Sequence, residues 1–201
     1  MNIELKLGFD RIRSMIADRC STDYASDRVA EEQFSSSADT IRRRLLLTDE
    51  MRLIMMFEEA FPTTGYIDAI PFLEPLQQEG SRIDVLNLAK LGTLVDTTRR
   101  IVHFFTGTKD GIYPNLKGLA RSINVFPEVH RRIEQILDKY GDIKDSASDA
   151  LFDIRKALRS KEGAVSKKAA SILAQAQAAG VADADAGVTV REGQYLIPVA
   201  S

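Results

Sequence analysis

The sequence predicts an all-α protein: a helical bundle, then one long protruding helix, and a small β-hairpin at the end of the chain. Proline is scarce, with six among 201 residues, and strand-like alternation is nearly absent before residue 188. Between turn-forming residues, apolar side chains recur at the spacing of amphipathic helices. A hydrophobic share of 44% is enough to bury a core.

The first sixty residues are predicted to form three helices. Residues 3–19 are predicted to form the first helix because five apolar residues recur there at helical spacing: Leu5, Phe9, Ile12, Met15 and Ile16. The Ser-Thr-Asp sequence that follows can cap a second helix reaching about residue 33. Ser36 and Asp39 have capping-box spacing for a third helix, from residue 38 to about 60. The residues expected along one face of this third helix are Ile41, Leu45, Thr48, Met51 and Met55.

The middle of the chain is predicted to contain a loop, a long helix and two short helices. Residues 68–78 hold two prolines and should form a loop with a helical turn, before a helix over residues 85–105. Short helices over residues 114–120 and 127–137 each have proline in the first turn, where its missing N–H is not needed. Ile143 is predicted to form a short pairing segment. The residues expected to pack inward from the long helix are Leu88, Leu91, Leu94, Val95, Ile101, Val102 and Phe105.

A second long helix is predicted over residues 148–179. Ser148 is the expected N-cap, and Asp149 is favourably placed at the positive end of the helix dipole. The helix would be about 45–50 Å long, so we expect it to leave the body of the domain. Four apolar residues spaced by seven form a heptad stripe, the signal of a helix that seeks a partner helix: Leu151, Leu158, Val165 and Ile172.

The end of the chain reads as a breaker stretch followed by a β-hairpin. Residues 180–187 contain two glycines, and residues 188–199 form two strand-like runs around a Glu192-Gly193 turn. No other long heptad in the chain could pair with the long helix. We therefore expect the chain to be a piece of a longer protein.

Several short segments resemble, in order, the amino-terminal region of the second bacterial branch of the MutS family. Glu192 and Gln194 stand where that branch typically has Asn and Arg, so the hairpin keeps its turn glycine but loses one positive charge. The matching segments are residues 7–12 (Leu-Gly-Phe-Asp-Arg-Ile), 68–73 (Asp-Ala-Ile-Pro-Phe-Leu), 145–155 and 190–199 (Val-Arg-Glu-Gly-Gln-Tyr-Leu-Ile-Pro-Val).

The resemblance implies a domain organisation and a function. Residues 1–144 would be the helical core, 145–180 an outgoing lever helix whose heptad stripe packs on a returning helix, and 188–201 the first strands leading toward a clamp. The parent protein would be a homodimeric mismatch-repair-family ATPase that uses ATP and Mg²⁺ and often carries a carboxy-terminal nuclease domain. Its expected partners are either branched or mismatched DNA or stalled ribosomes with their rRNA. Binding to branched DNA would suppress recombination.

No enzymatic site is apparent in this chain. Gly107 and Gly111 have the wrong spacing for a phosphate-binding loop, and no Lys-Ser or Lys-Thr pair follows them. His103 and His130 have no partner at metal-ligand spacing, so we expect neither cofactor nor metal here. The single cysteine, Cys20, excludes an internal disulfide and fits a reducing compartment. No signal peptide or membrane span is recognisable, which favours a cytoplasmic protein without a membrane partner.

The basic residues of the long helix are the candidate binding residues. The chain has a formal charge of −2, yet residues 151–170 carry six cationic side chains against two carboxylates. This excess fits either a solvated helix face or sequence-independent contact with nucleic-acid phosphates. The six residues are Arg155, Lys156, Arg159, Lys161, Lys167 and Lys168.

Two functions remain open from the sequence. The first is a non-catalytic core and lever that couples the state of an ATPase elsewhere in the parent protein to a nucleic-acid clamp. The alternative is a self-contained helical interaction module that binds a protein partner through the exposed heptad stripe.

Overall fold

A computed structural model describes residues 3–199, and its secondary structure confirms the predicted fold class. Within that range the chain is helical, with one small antiparallel sheet near the end. It divides into two compact units, one ending at Ile143 and one beginning at Lys144, here called the N-terminal and C-terminal units. The parts of the predicted core and clamp-side ranges that fall on residues 1–2 and 200–201 lie outside the described residues. No helix in the described range combines the length and apolarity needed to cross a bilayer.

The N-terminal unit begins with three short helices: α1 (Ile3–Leu7), α2 (Phe9–Ala17) and α3 (Asp23–Glu31). The prediction of one continuous helix over residues 3–19 is wrong, because Gly8 has a φ of 69° and separates α1 from α2. Glycine adopts this left-handed conformation without the steric cost of a side chain. The predicted cap of the next helix is confirmed, since the Thr22 hydroxyl accepts a hydrogen bond from the Ala25 N–H at 3.2 Å.

Helix α4 (Ala38–Phe57) is capped by Ser37, whose hydroxyl accepts from the Thr40 N–H at 3.3 Å, and not by Ser36 as predicted. The predicted apolar face packs inward only in part, since Met51 is half-buried and contacts the core. Ile41, Leu45 and Met55 are exposed, whereas the buried residues of α4 are Glu50 and Ile54.

The remaining helices of this unit follow the predicted boundaries closely. They are α5 (Ile70–Leu73), continued by a 3-10 turn (Glu74–Gln77), α6 (Val85–Gly107), α7 (Pro114–Ala120) and α8 (Pro127–Ile136). Helix α6 packs against α7 and α8. Gly92 permits close packing, because a Cβ there would lie 3.1 Å from Ile133 Cγ2. The predicted pairing of Ile143 is confirmed by an antiparallel bridge with Leu137.

The core of the N-terminal unit lies where α4, α6 and α7 meet. Ile54 is fully buried and is clustered with Phe61, Phe105 and Ala120. Phe104 stands edge-on to both Phe61 and Phe105, with ring centroids 5.2 and 5.1 Å apart, a favourable geometry for aromatic pairs. Of the residues predicted to face inward from α6, Phe105 is buried and the others are half-buried.

The C-terminal unit consists of a 3-10 turn (Asp145–Ala147), the long helix α9 (Asp149–Ala178) and a hairpin of β1 (Thr189–Arg191) and β2 (Gln194–Leu196). The strands pair antiparallel with Val190 opposite Tyr195. Glu192 and Gly193, both at positive φ (50° and 76°), form the predicted turn. Two successive left-handed residues give the type I′ geometry that matches the twist of a hairpin.

Candidate nucleic-acid and helix-pairing surfaces

Helix α9 begins as its sequence predicts. Ser148 is extended, and its hydroxyl accepts from the Leu151 N–H at 3.2 Å, while Asp149 occupies the first turn. This arrangement satisfies one of the free N–H groups of the first turn and places a negative charge against the dipole. The helix runs through Gly163 without a break for 30 residues, about 45 Å.

The heptad stripe lies largely on the surface of α9. Leu158, Val165 and Ile172 keep 54%, 50% and 45% of their surface exposed, and Leu151 is half-buried. Successive members of the stripe drift by about 20° around a straight helix, so together they form a shallow apolar ridge. Such a ridge has the spacing of a helix-pairing seam.

The six basic residues do not form one row. At about 100° of rotation per residue, Lys161 and Lys168 lie beside the heptad stripe. Lys156 and Lys167 are eleven residues apart, about 16 Å along the axis, and share the face opposite the stripe. The structure therefore separates the four lysines into two pairs on different faces of α9.

Arg155 and Arg159 differ from the lysines, because both bind Asp145 in the 3-10 turn before the helix. Arg155 Nη1 donates to Asp145 Oδ1 at 2.6 Å, and Arg159 Nη2 donates to the other carboxylate oxygen. These two bonds, that of Arg155 first, hold the pKa of Asp145 below its usual range. The ion pairs are therefore present at neutral pH, and their contribution to stability is lost as the pH falls through that lowered pKa.

The lysines carry free charge. Across residues 3–199, no carboxylate lies within ion-pair distance of Lys156, Lys161, Lys167 or Lys168. A lysine ammonium without an internal partner can donate to a phosphate oxygen and release a condensed counter-ion, which is the source of sequence-independent binding.

The distal end of α9 is tied to the turn that follows it. The side-chain amide of Gln177 donates toward the carbonyl oxygens of Asp183, Ala184 and Ala186 at 3.1, 3.1 and 3.2 Å. Sequence reasoning missed both this amide and the role of Asp145. Each acts on residues whose position depends on an irregular turn, for which periodicity carries no signal.

Gly107 and Gly111 do not belong to a phosphate-binding loop. Gly107 ends α6, and the next helix begins with Pro114, which has no N–H to offer a phosphate. A phosphate-binding loop instead leads into a helix whose first N–H groups face the phosphates. In the part of the chain that the structure describes, no three His, Cys, Asp or Glu side chains are grouped to hold a metal. The half-buried His130 lies between Asp96 and Glu134, at 3.7 and 3.3 Å.

Comparison with known proteins gives one consistent result. No protein-family model matches the chain. Endonuclease MutS2 of Listeria welshimeri is 29% identical over 199 residues, and that of Listeria innocua is 28% identical over 199 residues, in both cases 98% of this chain. Endonuclease MutS2 of a Geobacillus strain is 26% identical over 96% of it. The chain spans about a quarter of the length of these relatives. The resemblance to the second bacterial branch of the MutS family is thus confirmed: over nearly its whole length, this chain is similar to proteins named endonuclease MutS2.

Proposed function

We propose that this chain is the helical core and outgoing lever of a MutS-type protein that binds DNA. Residues 1–144 would be the core, 145–180 the lever and 188–201 the start of the path to a clamp. The parent protein would be a cytoplasmic homodimer that hydrolyses ATP with Mg²⁺. Its ATPase site and any nuclease domain would lie outside this chain. Its ligand would be branched or mismatched DNA, or the rRNA of a stalled ribosome. The observation that carries the proposal is the pair of unneutralised lysines on one face of α9.

The two faces of α9 would serve different partners. The heptad stripe would receive the apolar seam of a returning lever helix, flanked by Lys161 and Lys168, which favour acidic residues on that helix. Lys156 and Lys167, on the opposite face, would remain open to phosphate oxygens. Contacts of this kind fix position along nucleic acid without reading its sequence.

A second candidate function rests on the exposure of the heptad stripe. Leu158, Val165 and Ile172 are each about half exposed, as expected of a self-contained module that binds the helix of another protein. In that case the lysines on the opposite face would be solvated surface, and their removal would leave nucleic-acid binding unchanged.

Neutralising the phosphate face separates the two functions. In the full-length protein, Lys156→Gln with Lys167→Gln should weaken binding to a four-way DNA junction roughly fivefold or more, and lower the slope of log K against log salt by about 2. The matched control is Lys161→Gln with Lys168→Gln, which removes the same charge from the same helix and should change affinity less than twofold. The measurement is a salt titration of binding, repeated with ribosomes to decide between the two ligands.

Each remaining outcome is informative. Equal loss in both double variants would mean that only the net charge matters and that α9 has no phosphate face. Unchanged binding in both would favour the protein-interaction module.

A further inference from the structure

Asp145 binds two of the six basic side chains that the sequence offers as candidates for nucleic-acid contact. Its two oxygens bind guanidiniums of residues 155 and 159, one helical turn apart on α9. A carboxylate that bridges two arginines takes the place that a phosphate would take, because guanidinium binds both anions through the same parallel N–H donors.

The two arginines are held to different degrees. The side chain of Arg155 is 36% exposed and that of Asp145 39%, so this ion pair is partly shielded from water where the 3-10 turn meets α9. The side chain of Arg159 is 64% exposed, so its ion pair with Asp145 is more accessible to water. Exposed ion pairs add little to stability because water competes for both charges. A polyanion that delivers several phosphates at once can therefore displace Asp145 from Arg159.

The position of Arg159 brings it toward the phosphate face. At about 100° per residue, Arg159 lies some 60–80° around α9 from Lys156 and Lys167, on the side away from Lys161 and Lys168. Once released from Asp145, the guanidinium of Arg159 would add a third cation beside Lys156 and Lys167.

We propose that Asp145 is an internal competitor of nucleic-acid phosphate: it pairs with Arg159 in the free protein and gives it up when α9 binds. This inference rests on the proposed function and adds its regulation. Any change that draws Asp145 away from α9 would raise the affinity for nucleic acid, and any change that holds the 3-10 turn against α9 would lower it.

The test compares two variants of equal charge in the full-length protein. Asp145→Asn should tighten binding to a four-way DNA junction about three- to tenfold and steepen the salt dependence by about one counter-ion. Asp153→Asn is a demanding control, because Asp153 is exposed, pairs with no described side chain and lies nearer the lysine face. It should change affinity less than twofold.

A third variant isolates the arginine. Arg159→Gln should change the affinity of the otherwise unaltered protein less than twofold, but should cancel the gain when combined with Asp145→Asn. Helix content by circular dichroism is measured for each variant. If Asp145→Asn unwinds the start of α9, Asp145→Ser, which can still begin the 3-10 turn, takes its place.

The outcomes distinguish this inference from the function on which it rests. Equal gains for Asp145→Asn and Asp153→Asn, with normal binding by the unaltered protein, would overturn the competitor and leave the phosphate face intact. A gain that survives Arg159→Gln would also overturn it. If neither the unaltered protein nor Asp145→Asn binds the junction, the proposed function fails and the competitor fails with it.

Discussion

Replacing Ile54 with alanine should lower the free energy of unfolding of the N-terminal unit by about 2–5 kcal/mol. Ile54 is fully buried between Phe61, Phe105 and Ala120. Truncation removes three carbons from this contact and leaves a cavity that two aromatic rings cannot easily collapse to fill. The loss would be measured by urea unfolding of this chain, followed by circular dichroism.

The control for this change comes from the face that the sequence wrongly predicts to be buried. Ile41→Ala removes the same atoms from the same helix, but Ile41 is 41% exposed. The expected cost is below about 1 kcal/mol, as for most exposed positions. Equal costs for Ile41→Ala and Ile54→Ala would contradict the packing of α4 described here.

Replacing Glu50 with alanine should cost about 2–4 kcal/mol, the second-largest effect that the structure predicts. Glu50 is only 8% exposed. Its Oε1 accepts from the backbone N–H and side-chain amide of Asn115 at 3.1 and 2.6 Å, and its Oε2 accepts from the Leu116 N–H at 2.8 Å. Without this carboxylate, two N–H groups in the first turn of α7 lose their partner.

Two further variants define the cause of that loss. Glu50→Gln keeps the shape and one acceptor oxygen, so we expect a smaller cost than for alanine. Glu59→Ala removes an exposed carboxylate just after the end of α4 and should cost less than about 0.5 kcal/mol. Amide exchange of α7 would report the loss locally, and unchanged protection in Glu50→Ala would show that α7 does not depend on this cap.

Much of the fold follows from local sequence. The caps at Thr22 and Ser148 act within three residues, and prolines mark the first turns of α7 and α8. Short-range chemistry of this kind does not depend on the rest of the chain. The hairpin likewise depends on a two-residue turn, in which Gly193 adopts positive φ without the steric cost of a side chain.

The face of α4 could not be predicted in the same way. A glutamate in a helix usually faces water, so periodicity places Glu50 outside and Met55 inside. The actual rotation of α4 depends on a cap for α7, a contact 65 residues away along the chain. The N–H groups of α7 that Glu50 binds reach α4 only once the tertiary structure has formed.

The candidate site shows the same division. The basic residues of α9 and the heptad stripe were evident from composition and spacing, and the separation of the lysines into two faces follows from helical geometry. The ion pairs of Asp145 were not evident, because Asp145 precedes the helix and reaches Arg159 only through the 3-10 turn. Sequence charge alone therefore overstates the number of free cations on α9.

The most direct test of the central claim is lysine footprinting of the full-length protein. Surface lysines are acetylated with and without a bound four-way junction, and modification is quantified by mass spectrometry. Lys156 and Lys167 should become protected by the nucleic acid, while Lys161 and Lys168 beside the heptad stripe, and the exposed Lys90 and Lys139 of the N-terminal unit, should react as before. Unchanged reactivity of Lys156 and Lys167 in a saturated complex would contradict a phosphate-binding face on α9.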